Sequence, residues 1–122
     1  LKRYFMHKKY MYLGSLLAGL AVAFGAFGAH GLKKIASGDI VQTFQTGVQY
    51  QMYHSIALIM VCLLLDKFPS KLISYAGWFF IAGILLFSGS LYLLTLININ
   101  EITNFKFINY LQLYTKIRGI LE

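Results

Sequence analysis

The stretch GAFGAHGLKK, Gly25–Lys34, decides how this chain is read. A long apolar run ends there in small residues, a histidine, a glycine and two lysines. Upstream, Met11–Ala29 runs nineteen residues without a charge. As an α-helix that is about 28 Å, close to the thickness of the hydrocarbon layer. The basic leader Leu1–Tyr10 and the small residues of AFGA would also suit a cleavable signal peptide. The run exceeds a usual signal core, however, and two further apolar runs follow it, so it reads as an uncleaved span. The opening on Leu1 is expected of a fragment, a processed terminus or an unusual start codon.

Composition points the same way. With 122 residues the chain suffices for one domain, and 58% of it is hydrophobic against 12% charged. A soluble fold of this size cannot hide so much apolar surface; lipid can. The net charge of +7 comes from 11 Lys and Arg against 4 Asp and Glu. Lys2, Arg3, Lys8 and Lys9 precede the first run, Lys33 and Lys34 follow it, and Lys67 and Lys71 lie between the next two. Charges that bracket apolar runs address lipid headgroups. No basic cluster interleaved with aromatics argues for nucleic acid, so the expected partner is the bilayer. Cys62 is the only cysteine, which excludes an internal disulfide and a multi-cysteine metal site.

Small residues recur four apart in the first span, at Gly14 and Ala18 and again at Ala21, Gly25 and Ala29. Such spacing lets a neighbouring helix approach closely, the main source of helix adhesion in lipid. Gly31 suits a left-handed helix cap. Asp39 and Gln42 resemble a capping box, which starts a new helix near Ile40. Val41, Phe44 and Val48 oppose Gln42, Gln45 and Gln49, the pattern of an interfacial helix. A second span is expected at about 50–65, with Tyr50 and Tyr53 at the interface. Asp66–Lys71 forms a polar turn containing Pro69, and a third span covers about 72–97. Ala76, Gly83 and Ser90 repeat every seven residues there and could receive the first helix. Counting Lys and Arg near the span ends puts the N-terminus in the cytoplasm. Residues 97–122 hold all four asparagines and no alanine, and Phe107, Ile108, Leu111, Tyr114, Ile117 and Leu121 can share one face. This reads as an amphipathic tail on the membrane, distinct from a membrane-embedded domain over 1–96.

Three blocks, GAFGAHGLKK, TGVQYQMYHSIAL and AGWFFIAGILLFSGSLYLL, together resemble the domain-of-unknown-function 423 family of small membrane proteins. The likeness covers about Met11 to Leu96. It implies a compact bundle in the bacterial inner membrane, usually of four helices, with no established activity, substrate or cofactor. The family's fourth apolar span is missing here. Asn- and Ile-rich text is what AT-rich DNA yields out of frame, so residues 97–122 read as a substituted terminus.

Candidate chemistry is sparse. Gln51 and His54 lie three apart on one helical side. His30 ends the first helix and could meet His54 at one interface, giving a candidate polar site of His30, Gln51 and His54 beside Tyr50. Two imidazoles could bind a metal, ligate haem or shuttle protons. Without a carboxylate or cysteine partner they make a poor ligand set, and histidines at headgroup depth more commonly cap helices or bond a carbonyl. No metal or cofactor is therefore expected. Ser88 has no neighbouring base, and Cys62 has no charge beside it to make a thiolate, so no enzyme is expected. The resulting reading is an all-α polytopic bundle of three spans plus interfacial amphipathic helices. Its role is structural or interactive, through association with itself or other membrane proteins. The alternative is a small transporter, or a transporter subunit, for protons or a small solute.

Overall fold

The computed structural model describes the backbone of residues 2–122 and side chains from Lys8 onward, so Lys2 and Arg3 of the leader fall outside the described side chains. Helix α1 spans Lys2–Phe27 and passes through a widened π-helical turn, Gly28–Leu32, into a short α2, Lys33–Ile35. Helix α3 spans Gly38–Lys67. Helix α4, Lys71–Gly83, passes through a second π-helical turn, Ile84–Ser88, into α5, Gly89–Leu121. Three rods, Lys8–Ile35, Gly38–Lys67 and Lys71–Leu121, are long and apolar enough to cross a membrane. The fold is therefore the expected helical bundle with three spans.

The joints differ from the sequence reading. No described glycine adopts a positive φ, so Gly31 is not a left-handed cap. The wide turn carries the helix past His30, and Gly31 tucks beneath Phe27, whose ring a Cβ would meet at 2.9 Å. The reversal comes later, where Ala36 (φ −135°, ψ 156°) and Ser37 (φ −67°, ψ 161°) are extended. Helix α3 then starts at Gly38, so Asp39 lies in its first turn and forms no capping box. There the Asp39 carboxylate faces the positive end of the helix dipole. Nothing interrupts α3 at Gly47. The polar-sided segment expected to lie at the interface is the first part of the second membrane rod. At the other end Ser70 caps α4, its hydroxyl accepting from the Leu72 N–H at 3.2 Å.

A connection of two residues makes α1 and α3 antiparallel neighbours. Close contacts give their register: Gly28 lies against Phe44 and Gln45, Gly25 against Val48, and Gly14 against Ser55, Leu58 and Ile59. A Cβ at Gly14 would lie 2.9 Å from the Ser55 carbonyl oxygen, so this glycine is what lets the backbones meet. Ala21 is buried in the same seam, Ala18 is partly buried and Ala29 is exposed. The α1 seam thus packs on α3, and not on the Ala76, Gly83 and Ser90 stripe expected to receive it. Of that stripe, Gly83 faces the His54 ring of α3, Ala76 is partly buried, and exposed Ser90 bonds to its own Phe87 carbonyl at 2.7 Å. The contact from α1 to α4 is made one residue away, where the Tyr10 ring lies flat enough against Gly77 to exclude a Cβ.

Two buried clusters fill the bundle. Tyr10, Leu58, Val61, Cys62, Leu65 and Ile84 make one, and Ala21, Leu32, Phe44 and Val48 the other. In the second, Phe24 and Phe44 pack edge-on or tilted against Tyr92 at 5.4 and 5.2 Å between ring centres. Helix α5 continues without a break from residue 97 to Leu121, where nearly every side chain is exposed. The tail is helical, as expected, but it extends the third rod instead of turning away from it.

Candidate functional site

The three-helix register places Gln51 at the level of Leu17, about halfway along α3. Only 2% of Gln51 is exposed. Its amide nitrogen donates to the Leu17 carbonyl at 2.8 Å, and its amide oxygen accepts from the Tyr92 hydroxyl at 2.6 Å. One side chain therefore ties α1, α3 and α5 together at mid-depth. Ser55, one turn on, donates to the Gln51 carbonyl at 2.6 Å. Two more bonds flank this tie. Gln45 donates to the Gly25 carbonyl at 3.1 Å, and Ser88 donates to the Gly47 carbonyl at 2.7 Å. No buried described side-chain nitrogen or oxygen lacks a partner. In hydrocarbon, where water cannot compensate, that complete pairing is what makes a polar interior tolerable.

The candidate trio does not assemble. His54 shares the level of Gln51 but points toward α4, its ring against Gly83 and 5.8 Å from the Phe80 ring. Its Nδ1 lies 2.7 Å from the Tyr50 carbonyl oxygen, which can only accept. That bond requires the proton on Nδ1. His30 is exposed on the widened turn, at the far end of α1. At 1.5 Å per residue, the two histidines stand roughly 20 Å apart along the bundle axis. The shared interface expected for them is absent, because α3 begins at Gly38 and carries His54 to mid-depth. Tyr50 and Tyr53 likewise leave the interface. They meet edge-on at 5.8 Å between ring centres, and Tyr50 also meets Phe87 at 4.8 Å.

Tyr92, Tyr10 and Gly77 were not singled out by sequence, and Gln45 was placed only on a polar helix side. The available signal was a hydrogen-bonding side chain inside an apolar run, which marks Gln45 and Tyr92 as it marked Gln51. Tyr10 looked like a leader aromatic, yet it is fully buried and its hydroxyl donates to the Ser74 carbonyl at 2.6 Å. Beside it the Lys9 ammonium lies 4.6 Å from the centre of the Trp78 ring, a cation–π contact.

Three apolar rods with a fully paired polar interior define a small polytopic membrane protein. The sequence profile of a family described as "Protein of unknown function (DUF423)" matches residues 24–114. The chain belongs to that family. It is 47% identical over 94 residues to the UPF0382 membrane protein YwdK of Bacillus subtilis, covering 76% of each chain. A UPF0382 membrane protein of Haemophilus influenzae is 45% identical over 91 residues, 73% of this chain and 71% of that one. SAB0533 of Staphylococcus aureus, also a UPF0382 membrane protein, is 42% identical over 92 residues, 75% of each. No solved structure matches the chain. The profile match begins later than Met11 and passes Leu96 to reach residue 114. It takes in much of the tail.

Proposed function

We propose that this protein is a structural element of the bacterial inner membrane that associates with itself, oriented with its N-terminus in the cytoplasm. The observation that carries this reading is that every buried polar side chain described is bonded, with Gln51, Gln45 and Ser88 committed to bonds between helices. Gln51 is bonded at both ends of its amide, and Gln45 and Ser88 each hold a backbone carbonyl on a neighbouring helix. A carrier of protons or solute would have to break these ties, and a single copy of three helices encloses no pathway of its own. Catalysis is equally unsupported. The Ser88 hydroxyl is committed to Gly47, and Cys62 is buried in an apolar cluster.

Reconstitution at low density in vesicles, with counting of bleaching steps per labelled particle, tests the proposal. Two or more copies per particle are expected. A uniform single step would refute self-association. In parallel, vesicles loaded with a pH-sensitive dye are expected to hold an imposed proton gradient as well as empty ones. Rapid protein-dependent collapse would favour the transporter reading instead.

A further inference from the structure

The outward face of α3 carries polar groups at a depth where lipid offers them nothing. Gln42, Gln49, Tyr53, Ile56, Met60 and Leu63 are all exposed on it. From Gln49 onward they follow the alternating four- and three-residue spacing of a helix-pairing seam, about 21 Å long. Gln49 lies at the level of Ser88, because Ser88 bonds to Gly47 and Tyr50 packs on Phe87. Gly25, against which Val48 packs, lies four residues inside the end of the first apolar run, and Ser88 lies well inside the third. Its amide nitrogen donates to the Tyr53 hydroxyl at 2.6 Å. One amide N–H, the amide oxygen and the tyrosine proton have no other partner among the described residues. Leaving amide groups unpaired in hydrocarbon costs several kcal/mol.

We infer that this face is the contact between two copies of the chain, with Gln49 as its polar contact at one end of the seam. The inference rests on the self-association proposed above and names its surface. A primary amide is both donor and acceptor, so it complements itself. Two copies inserted with one orientation hold Gln49 at the same depth, and a two-fold axis along the membrane normal brings the two amides face to face. No other occupant has its matching group placed by symmetry alone. Tyr53, Ile56, Met60 and Leu63 extend the contact, each with 49–55% of its surface exposed. At roughly 100 Å² per side chain, the five seam residues of two copies bury about 1,000 Å². That reaches the size at which specific interfaces begin.

The test uses the full chain in vesicles, with Cys62→Ala as background and single cysteines introduced on the lipid-facing sides of the three rods. Oxidation is expected to crosslink Tyr53→Cys, Ile56→Cys and Met60→Cys, and to spare Val22→Cys on α1 and Leu85→Cys in the third rod. Gln49→Leu should weaken pairing about threefold to thirtyfold, the range of membrane hydrogen bonds, whereas Gln49→Asn should retain most of it. Unchanged helical circular dichroism and an unchanged unfolding midpoint serve as the folding check for each variant. Dimers that crosslink through Val22→Cys or Leu85→Cys and ignore Gln49→Leu would overturn this interface while leaving self-association standing. Monomers throughout would overturn both.

Discussion

Gln51 concentrates more of the bundle's specificity than any other described side chain. It is the one amide bonded to two other helices, and both bonds are short. Hydrogen bonds between membrane helices contribute modestly, because the separated helices also find partners in lipid. Replacing Gln51 with Met keeps the volume and removes both bonds, leaving the Tyr92 hydroxyl unpaired at mid-depth. The expected loss is about 1–3 kcal/mol, while Tyr92→Phe, which removes one bond and strands only one side of the amide, should cost less, about 0.5–1.5 kcal/mol. Steric-trapping or detergent-driven unfolding in bicelles measures both. Equal and negligible effects would show that apolar packing alone sets the helix register. His54 makes the contrasting case. Its bond is to Tyr50, one turn back on its own helix, so its substitution should cost packing against Gly83 and Phe80 but no hydrogen bond between helices.

At the scale of elements, α1 has two faces with different tasks. One carries Gly14, Ala21 and Gly25 into α3, continued by Gly28 of the widened turn, and the other carries Gly19, at which an added Cβ would meet nothing within 4 Å. Gly14→Ala would push a methyl to 2.9 Å from the Ser55 carbonyl oxygen and 2.8 Å from Ile59, forcing the helices apart. Gly19→Ala meets open space and removes the helix penalty of glycine, worth up to about 1 kcal/mol. Thermal unfolding should therefore fall for the first and hold or rise for the second. The spacing of small residues made this seam legible from sequence, but not its partner. That was decided by the two-residue joint at Ala36 and Ser37, which keeps consecutive helices adjacent. The rods themselves were legible because nineteen uncharged residues have few other fates. The joints were not. Gly31 is a good cap only if the helix stops there, and the π-helical turn Gly28–Leu32 leaves no trace in the pattern of apolar residues. The same blindness moved His54: with α3 starting at Gly38 and passing Gly47 unbroken, a residue assigned to the interface sits at mid-depth.

At the scale of the whole molecule, α1 and the third rod run parallel to each other and antiparallel to α3. The N-terminus and the Phe68–Ser70 turn therefore share one end, and the Ala36–Ser37 joint and the extension of α5 share the other. Lys8, Lys9, Lys67 and Lys71 gather at the first end, with Asp66 beside them, and Lys33 and Lys34 stand at the second with Asp39, followed by Lys106, Lys116 and Arg118 further out along the α5 extension. Cations near the ends of short loops resist translocation, so the first end should face the cytoplasm. In the Cys62→Ala background, a membrane-impermeant maleimide added to intact spheroplasts should modify Ser37→Cys and leave Ser70→Cys untouched until the membrane is opened. The reverse labelling would invert the protein, and labelling of both from outside in one preparation would show dual insertion. The last outcome bears directly on assembly. Two copies of opposite orientation would place Gln49 at different depths, since it lies nearer the joint end of α3 than the turn end, and its amide could no longer meet its own counterpart. A single orientation is thus a requirement of the proposed dimer as well as the outcome expected from the charges at its ends.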